Sequence, residues 1–326
     1  MTAPPPDNHA AGLGSPAAGH HTRAEASGAH AGPSAPRSAA NPPPVPLPEP
    51  IEAFDLPHPD LPERLDGLTI VHITDTHVRT HPAPLRSKTQ RRLPSVLAEV
   101  ARTVCPDLVC FTGDAMDRPE DAGAALPALA ELIESCAPGD GSTLGWFGVF
   151  GNHDSRAFQK RAAKLPGIRW LCNEHADLDH PTRGTVRLLG VSEPEDVFAA
   201  ALGLPEIGTQ TPPPFTITLA HFPPQVYPAA RLGLPLVLAG HTHGGQIRLS
   251  PSNAPHTSCD FGSDVGSGLL RLGSTLCAIS RGAGETVVDL RVNCPPQVGL
   301  YTLRRGPLPG GPDEHDPPRL RQVIPW

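Results

Sequence analysis

The sequence lacks four features, and each absence removes a class of protein. Its seven cysteines form no CxxC pair and are irregularly spaced, so a reduced, cytoplasmic chain is the simplest expectation. No apolar run reaches 18 residues, so we predict no transmembrane helix. The N-terminus has no apolar segment typical of a signal peptide, although peripheral association with a membrane or the cell envelope stays open. The net charge of −7 disfavours a general nucleic-acid partner, because such domains are strongly basic.

The two ends of the chain contain few side chains that can form a core. Leu13 is the single large apolar residue between Met1 and residue 40, and residues 41–50 are mostly proline. Such a composition cannot offset the entropy lost on ordering the chain. We therefore predict a disordered tail over residues 1–50, one domain over residues 51–305 and a loose, proline-rich tail over residues 306–326.

Apolar spacing predicts the elements of the central domain. Helices are predicted over residues 93–104 and about 124–133, with Pro127 in the first turn of the second helix. Strands are predicted over residues 68–73, 108–111, 146–150, 186–190, 215–220, 236–239, 277–280, 287–290 and 298–303. Strand–helix–strand units come first and strands predominate later. This order favours an α/β protein with two packed sheets and helices outside them.

Five of the predicted strands end in polar residues that could bind a metal ion. The five sequences are DTH, GD, GNHD, AH and GHTH. In open α/β sheets, ligands collect beyond the carboxyl ends of the strands, so we expect these groups to converge in space. The candidate metal ligands are Asp75, His77, Asp114, Asn152, His221, His241 and His243.

The donor types in this set indicate which ions it would bind. Carboxylate, amide and imidazole donors together favour Mn²⁺, Fe²⁺/³⁺ or Zn²⁺ over Mg²⁺ and Ca²⁺, which prefer oxygen ligands alone. One catalytic zinc ion typically takes three protein ligands, so seven candidates fit two ions that share Asp114. Taken alone, most of these short motifs are ordinary turns at a strand end, whereas the two glycine-flanked histidines of GHTH are unusual. The combination of all five in order carries the prediction.

The motifs resemble those of the calcineurin-like metallophosphoesterase superfamily, D-x-H, G-D, G-N-H-[DE], H and G-H-x-H, over about residues 66–304. GHTHGGQ at residues 240–246 and ISRG at residues 279–282 look like a bacterial branch of small phosphodiesterases. That branch includes envelope-associated proteins and relatives that act on UDP-diacylglucosamine in lipid A synthesis. The resemblance implies a four-layer α/β/β/α sandwich of two mixed β-sheets flanked by helices. The polar, glycine-rich residues 250–268 depart from the pattern and suggest an insertion beside the site.

The resemblance also implies a role for each candidate residue. His153 would donate a proton to the leaving alkoxide, with Asp154 as its orienting partner. The expected reaction is hydrolysis of a P–O bond by in-line attack of a hydroxide that bridges two metals about 3.5–4 Å apart. One metal would be held by Asp75, His77 and His243, and the other by Asn152, His221 and His241, with Asp114 bridging the two.

The expected activity is that of a phosphodiesterase, with two divalent transition-metal ions and a small-molecule or lipid-linked phosphoester as substrate. One alternative is a pyrophosphate hydrolase of the UDP-diacylglucosamine type. Another is a non-catalytic, metal-binding scaffold of the same fold. Arg281 could bind a substrate phosphate through its guanidinium, or it could be a solvated loop residue. A fold alone does not determine the substrate.

Overall fold

The computed structural model describes residues 46–80, 88–137, 144–192, 214–250, 253–259, 261, 265–313 and 318–326. In these residues two β-sheets are flanked by four α-helices. The helices are α1 Lys88–Thr103, α2 Ala122–Ser135, α3 Arg156–Ala162 and α4 Val226–Arg231. The strands are β1 Ile51–His58, β2 Thr69–Ile73, β3 Leu108–Thr112, β4 Trp146–Val149, β5 Ile168–Trp170, β6 His175–His180, β7 Gly184–Gly190, β8 Thr216–Leu219, β9 Leu236–Ala239, β10 Gly268–Leu272, β11 Thr275–Ile279, β12 Val298–Arg305 and β13 Arg321–Ile324.

Both sheets are mixed. The first has the strand order β1-β12-β2-β3-β4-β5, with β12 and β2 antiparallel and all other neighbours parallel. The second has the order β13-β10-β11-β9-β8-β7-β6. Its central strands β11, β9, β8 and β7 are parallel, and the pairs at both edges are antiparallel. Within each sheet, the parallel strands at the centre have their carboxyl ends on the same side.

Alternate residues of each strand face opposite sides of the sheet, so both faces of the sheets are apolar. Ile70 and Leu108 belong to a core that the two sheets share. Their neighbours Val71 and Val109 belong to a second core with α1, α2 and α3. A third core lies between the second sheet and α4. The predicted four-layer α/β/β/α sandwich is confirmed.

The two long helices bury the apolar positions that the spacing indicated. Leu93 and Leu97 of α1 are buried against the first sheet, and the helix ends three residues before Pro106. Pro127 lies in the second turn of α2, not in the first as predicted, because a 3₁₀ turn over Pro119–Asp121 starts the helix at Ala122. In the described part of the chain, no helix combines the length and the apolarity needed to cross a membrane.

The predicted strand over residues 287–290 is absent. These residues form a loop, and the side chain of Gln246 hydrogen-bonds to the backbone of Thr286 and Val288. Val287 is 85% exposed, which no buried strand would allow. The prediction was wrong because β-branched residues favour strands only where a neighbouring strand and a core are available.

The domain ends also differ from the prediction. The expected N-terminal tail lies outside the described residues up to residue 45, but Pro50 is buried and accepts a hydrogen bond from the backbone N–H of Val298 (3.0 Å). At the other end, Arg321–Ile324 form the edge strand β13 beside β10, where a loose tail was expected. Trp326 packs on Phe54 with ring centroids 4.3 Å apart. Unpaired backbone at the edge of β10 gives this proline-rich segment a partner that its own composition does not reveal.

Candidate metal centre

The seven candidate ligands lie at the carboxyl ends of five parallel strands, two sheets contributing to one site. Asp75 and His77 follow β2, Asp114 follows β3 and Asn152 follows β4 in the first sheet. The remaining three come from the second sheet, where His221 follows β8 and His241 and His243 follow β9. The convergence therefore depends on the packing of one sheet against the other.

One group of donors is formed by Asp75, His77 and His243, all buried. The Nε2 atoms of His77 and His243 are 3.0 Å apart. Asp75 Oδ1 lies 3.5 Å from Nε2 of His243 and 3.8 Å from Nε2 of His77. Three donor atoms thus face one point, as the ligands of a cation do.

A second group is formed around Asp114. Its Oδ2 lies 3.1 Å from Nε2 of His221, which is itself 3.1 Å from Oδ1 of Asn152. His241 completes the group with Asp114 and His221. The same Oδ2 of Asp114 is 3.4 Å from Nε2 of His77 in the first group. Asp114 is therefore placed between the two groups, as the bridging role requires.

The hydrogen bonds of the histidines show that these groups fit metal ions. Nδ1 of His77 faces the carboxylate of Asp117 at 3.1 Å, and Nδ1 of His221 faces the carbonyl of Thr112 at 2.8 Å. Each Nδ1 therefore donates its proton outward, and each Nε2 directs a lone pair at the carboxylate of Asp114. Lone pairs that converge in a buried site repel one another unless a cation or a proton lies between them. Nitrogen and oxygen donors in this mixture suit manganese, iron or zinc.

The charges of the two carboxylates depend on their histidine neighbours. Burial by itself would raise the pKa of Asp75 and Asp114, because an ionised carboxylate loses its hydration. The neighbouring histidines reverse the direction and hold both pKa values below their ordinary range. His243 and His77 act on Asp75, and His221 and His77 act on Asp114. Both carboxylates are ionised at neutral pH and available to a cation.

The histidines respond to burial and to these carboxylates in different ways. In His221 the effect of Asp114 outweighs burial and raises the pKa to about 9. His77 faces three carboxylates, which raise its pKa in spite of burial. Burial lowers the pKa of His243 to about 3, although the carboxylate of Asp75 acts in the opposite direction. In the absence of metal the centre therefore holds protons where the ions would lie.

Metal affinity is expected to rise with pH for this reason. His221 of the metal-free protein is protonated below its pKa of about 9, and a cation can bind only after that proton leaves. Each displaced proton should strengthen the apparent affinity about tenfold per pH unit below that pKa. Competition titrations with Mn²⁺ at several pH values between 6.5 and 8.5 would measure the slope. Affinity independent of pH would show that protonated histidines are not ligands.

The backbone at the site adopts conformations that side chains rarely accept. Non-glycine residues with positive φ are uncommon, and they persist where surrounding structure holds them, often at functional sites. Five of the seven candidate ligands have this geometry. They are Asp75 (φ 52°), His77 (φ 40°), Asp114 (φ 57°), His241 (φ 70°) and His243 (φ 51°).

Two motif glycines allow the loops to approach closely. A Cβ atom on Gly151 would collide with Oδ1 of Asp114, and one on Gly240 would collide with the side chains of Thr74 and Asp75. Alanine at either position would push a carboxylate away from its place. The glycines of the GNHD and GHTH motifs are thus required by the closeness of neighbouring strand ends.

His153 lies beside the cluster, and its partner differs from the predicted one. Its Nδ1 donates to the carbonyl oxygen of Asp117 (2.5 Å), and its backbone N–H donates to Oδ1 of Asp114 (2.9 Å). The carboxylate of Asp154, the predicted partner, instead accepts the backbone N–H groups of Asp114, Ala115 and Gly151, each at 2.9 Å. The carboxylate of Asp154 therefore holds the two ligand loops together and does not contact the His153 ring.

The sequence analysis did not identify Asp117, which contacts both a candidate metal ligand, His77, and the candidate acid, His153. Its carboxylate accepts from His77 Nδ1 (3.1 Å) and from Thr286 Oγ1 (3.1 Å), and it pairs with Arg79 Nε at 3.0 Å. Its carbonyl orients His153. The sequence offered one indication of this role. Asp117 is a carboxylate only three residues after the candidate ligand Asp114, in a segment predicted to be neither strand nor helix.

The role proposed for Arg281 is not supported. Its guanidinium is buried, pairs with Glu52 and donates to the carbonyl of Pro295 (2.9 Å). Its backbone N–H donates to Gln297 (2.9 Å). Because the guanidinium is paired with these groups, Arg281 ties β1 to the segment before β12 and does not present its charge to a phosphate.

The segment predicted to be an insertion lies partly beside the site. In its described residues, the carbonyl of Ser258 accepts from Nε2 of His241 (2.8 Å), which leaves Nδ1 of that ring for a metal ion. The carbonyl of Gly266 accepts from the hydroxyl of Thr242, which lies between His241 and His243. The segment therefore supports the GHTH loop.

An α/β/β/α sandwich with such a cluster at its strand ends is the arrangement of a metallophosphoesterase. The chain belongs to the calcineurin-like phosphoesterase family, whose sequence profile matches residues 68–245, and it is a phosphoric ester hydrolase. The resemblance drawn from the motifs is confirmed.

Two curated relatives are bacterial. The chain is 27% identical over 255 residues to the metallophosphoesterase YkuE of Bacillus subtilis (strain 168), covering 75% of this chain and 82% of that protein. It is 30% identical over 206 residues to the phosphodiesterase YaeI of Escherichia coli (strain K12), covering 61% of this chain and 70% of that protein. These similarities agree with a bacterial branch of small phosphodiesterases.

Proposed function

We propose that the protein is a phosphodiesterase that depends on two divalent transition-metal ions. The observation that carries the proposal is the position of Asp114, whose Oδ2 is 3.4 Å from His77 Nε2 in one donor group and 3.1 Å from His221 Nε2 in the other. A carboxylate shared by two donor groups provides for two ions side by side. The name of the Escherichia coli relative, a phosphodiesterase, supports diesters as substrates.

The two ions would be manganese, iron or zinc, held by Asp75, His77 and His243 on one side and by Asn152, His221 and His241 on the other. When bound, such ions lower the pKa of water and neutralise charge on the phosphoryl oxygens of an in-line displacement. The protein fixes the positions of the ligands through hydrogen bonds, above all that of Asp117 to His77 (3.1 Å).

His153 is proposed as the general acid. Its Nδ1 donates to the carbonyl of Asp117, so the orientation of the ring is fixed and Nε2 is the atom that can carry a proton to the leaving oxygen. The ring centroid of His153 is 4.7 Å from that of His77, which puts it beside the ligand cluster. Asp154 acts on this reaction only indirectly, through the backbone of Asp114 and Gly151.

The arrangement favours an enzyme over a non-catalytic scaffold of the same fold. A scaffold has no need of the full ligand set or of an oriented acid. Here all seven candidate ligands converge, and His153 is held by two hydrogen bonds at their edge. A pyrophosphate substrate such as a UDP-linked lipid would use the same residues, because both reactions break a P–O bond.

The assignment can be tested with aryl phosphodiesters and the matching monoesters. We expect the purified protein to hydrolyse bis(4-nitrophenyl) phosphate faster than 4-nitrophenyl phosphate. Chelation should abolish the activity, and added Mn²⁺ should restore it. Elemental analysis must confirm that the chelated protein has lost its metal.

Two results would contradict the assignment. Full activity of protein shown to be free of metal would exclude a metal-dependent mechanism. A much faster reaction with the monoester would exclude a phosphodiesterase and leave the metal centre unaffected.

A further inference from the structure

Large apolar side chains are exposed at one place beside the metal centre. In the described part of the chain, six large hydrophobic residues are exposed, and five of them lie on two neighbouring segments. The two segments are joined by hydrogen bonds from Arg248 N to Val292 O (2.9 Å) and from Val292 N to Gln246 O (3.0 Å). We call these five residues the apolar rim. They are Leu249 (71% exposed), Val287 (85%), Val288 (45%), Leu290 (53%) and Val292 (38%).

The apolar rim is fastened to the metal centre. Gln246 follows His243 by three residues, and its side chain donates to the carbonyls of Thr286 (3.0 Å) and Val288 (2.9 Å). Its Oε1 accepts from the backbone N–H of Thr286 (2.9 Å). The hydroxyl of Thr286 donates to Asp117, the carboxylate that also holds His77. The loop that carries the rim is therefore set in position by residues that shape the site.

A cleft of about 310 Å³ connects the candidate ligand His243 with the rim. Its walls include the apolar side chains of Ile247, Pro255 and Val287. Clefts of this size are typical of ligand sites, which are mostly apolar with a few polar groups. A group that occupied this cleft would touch the ligand cluster at one end and the exposed rim at the other.

Two charged residues of the rim loop are paired with groups of the protein. Asp289, which is itself exposed, pairs with Arg79 at 2.5 Å. Arg291 is buried and donates to the carbonyls of Arg281 (2.9 Å) and Gly282 (3.2 Å). The charged side chains of Asp289 and Arg291 thus bind the protein, while the apolar side chains of the same loop lie in water. Contiguous exposed apolar side chains mark binding surfaces more often than free surface.

Val287 is also held in an unfavourable backbone conformation. Its φ is +60°, a region that β-branched residues rarely adopt. Glycine or asparagine would adopt this conformation at lower cost. A valine that is both strained and 85% exposed is explained most simply if its side chain contacts a ligand.

These observations together point to the substrate class. We infer that the cleft and the apolar rim bind the hydrocarbon chain of an amphiphilic phosphodiester whose phosphate lies at the metal centre. The inference rests on the proposed function. The group that fills the cleft is part of the substrate, because the cleft begins at the candidate ligand His243. A phosphoester bound at the metal centre would extend its alkyl group into the cleft.

A series of 4-nitrophenyl n-alkyl phosphates, from methyl to octyl and below their aggregation concentrations, tests the inference. Burial of one methylene strengthens binding by up to about fourfold. We expect kcat/KM to rise about two- to fourfold per carbon over the first carbons. The readout is the ratio of kcat/KM for the octyl ester to that for the methyl ester, so a general loss of activity cancels.

Substitutions in the apolar rim test whether these residues cause the dependence of kcat/KM on chain length. Val287→Asn replaces the apolar side chain with one that tolerates the backbone conformation, and Leu290→Ser changes an exposed residue, so neither threatens folding. Each should lower the octyl-to-methyl ratio about three- to tenfold. Tyr227→Ser is the control, since Tyr227 is 43% exposed on α4 and does not belong to the rim. It should keep the wild-type ratio.

The outcomes separate this inference from the proposed function. If the protein hydrolyses every ester equally well, the alkyl site does not exist and the phosphodiesterase assignment stands. If it hydrolyses none, the phosphodiesterase assignment fails. A rim that serves a lipid surface or a second copy of the chain would give a flat series, with the rim variants altering vesicle binding or oligomeric state. That result would also overturn the inference.

Discussion

Asp114→Ala should remove at least one metal ion and lower kcat/KM on a phosphodiester by about 10³-fold or more, since metal ions contribute several kcal/mol to such reactions. The side chain lies between the two donor groups, with Oδ2 3.1 Å from His221 Nε2 and 3.4 Å from His77 Nε2. Its Oδ1 also accepts the backbone N–H of His153 (2.9 Å). Metal content by elemental analysis and steady-state kinetics would measure both losses.

Two further variants distinguish loss of the bridge from loss of the fold. Asp114→Asn keeps the shape of the side chain and removes its charge, so it should lose metal with little change in secondary structure. Asp107→Asn is the matched control, because Asp107 precedes the same strand at its opposite end, where it accepts from Thr69 (2.7 Å) and pairs with His180 (2.9 Å). It should keep both metals even if the melting temperature falls. Two metals per chain in Asp114→Asn would exclude a bridging role.

His153→Ala should leave metal content near two per chain while activity on an unactivated diester falls by about 10²–10⁴-fold, the usual contribution of a positioned general acid. The loss should shrink for substrates with good leaving groups, which need less protonation. His180→Ala is the control, because His180 on β6 pairs with Gly184 at the amino end of β7, opposite the strand ends that carry the ligands. That variant should retain both metals and full activity.

Two results would contradict the role of His153. The ring also lies within ligand distance of His77 and Asp114, so loss of a metal in His153→Ala would make it a ligand. Retention of both metals with unchanged activity on the unactivated diester would show that another group protonates the leaving oxygen.

The exposed position of the rim residues follows from a conflict between local and tertiary preferences. Val287 and Val288 favour a strand by composition, but Gln246 binds the backbone groups that a neighbouring strand would need. Arg281 shows a similar conflict, since a charged loop residue was expected in solvent or at a phosphate and is paired with Glu52 of β1. The valines and Arg281 each take their positions from a partner distant in the chain, Gln246 or Glu52. The spacing of apolar residues does not reveal such partners.

The strands that carry the ligands could be identified from the sequence, because buried parallel strands are continuous apolar runs and their polar ends stand out beside them. Asp75, Asp114 and His221 were identifiable for that reason. The three-dimensional structure was needed to show that two sheets bring these ends together, that Asp117 orients His77 and His153, and that β13 lies at the edge of the second sheet. A ligand type and its place on a strand are local properties. A hydrogen-bond partner or an edge strand depends on contacts between residues far apart in the chain, such as His72 and Tyr301, which are 229 positions apart, and no local pattern encodes such contacts.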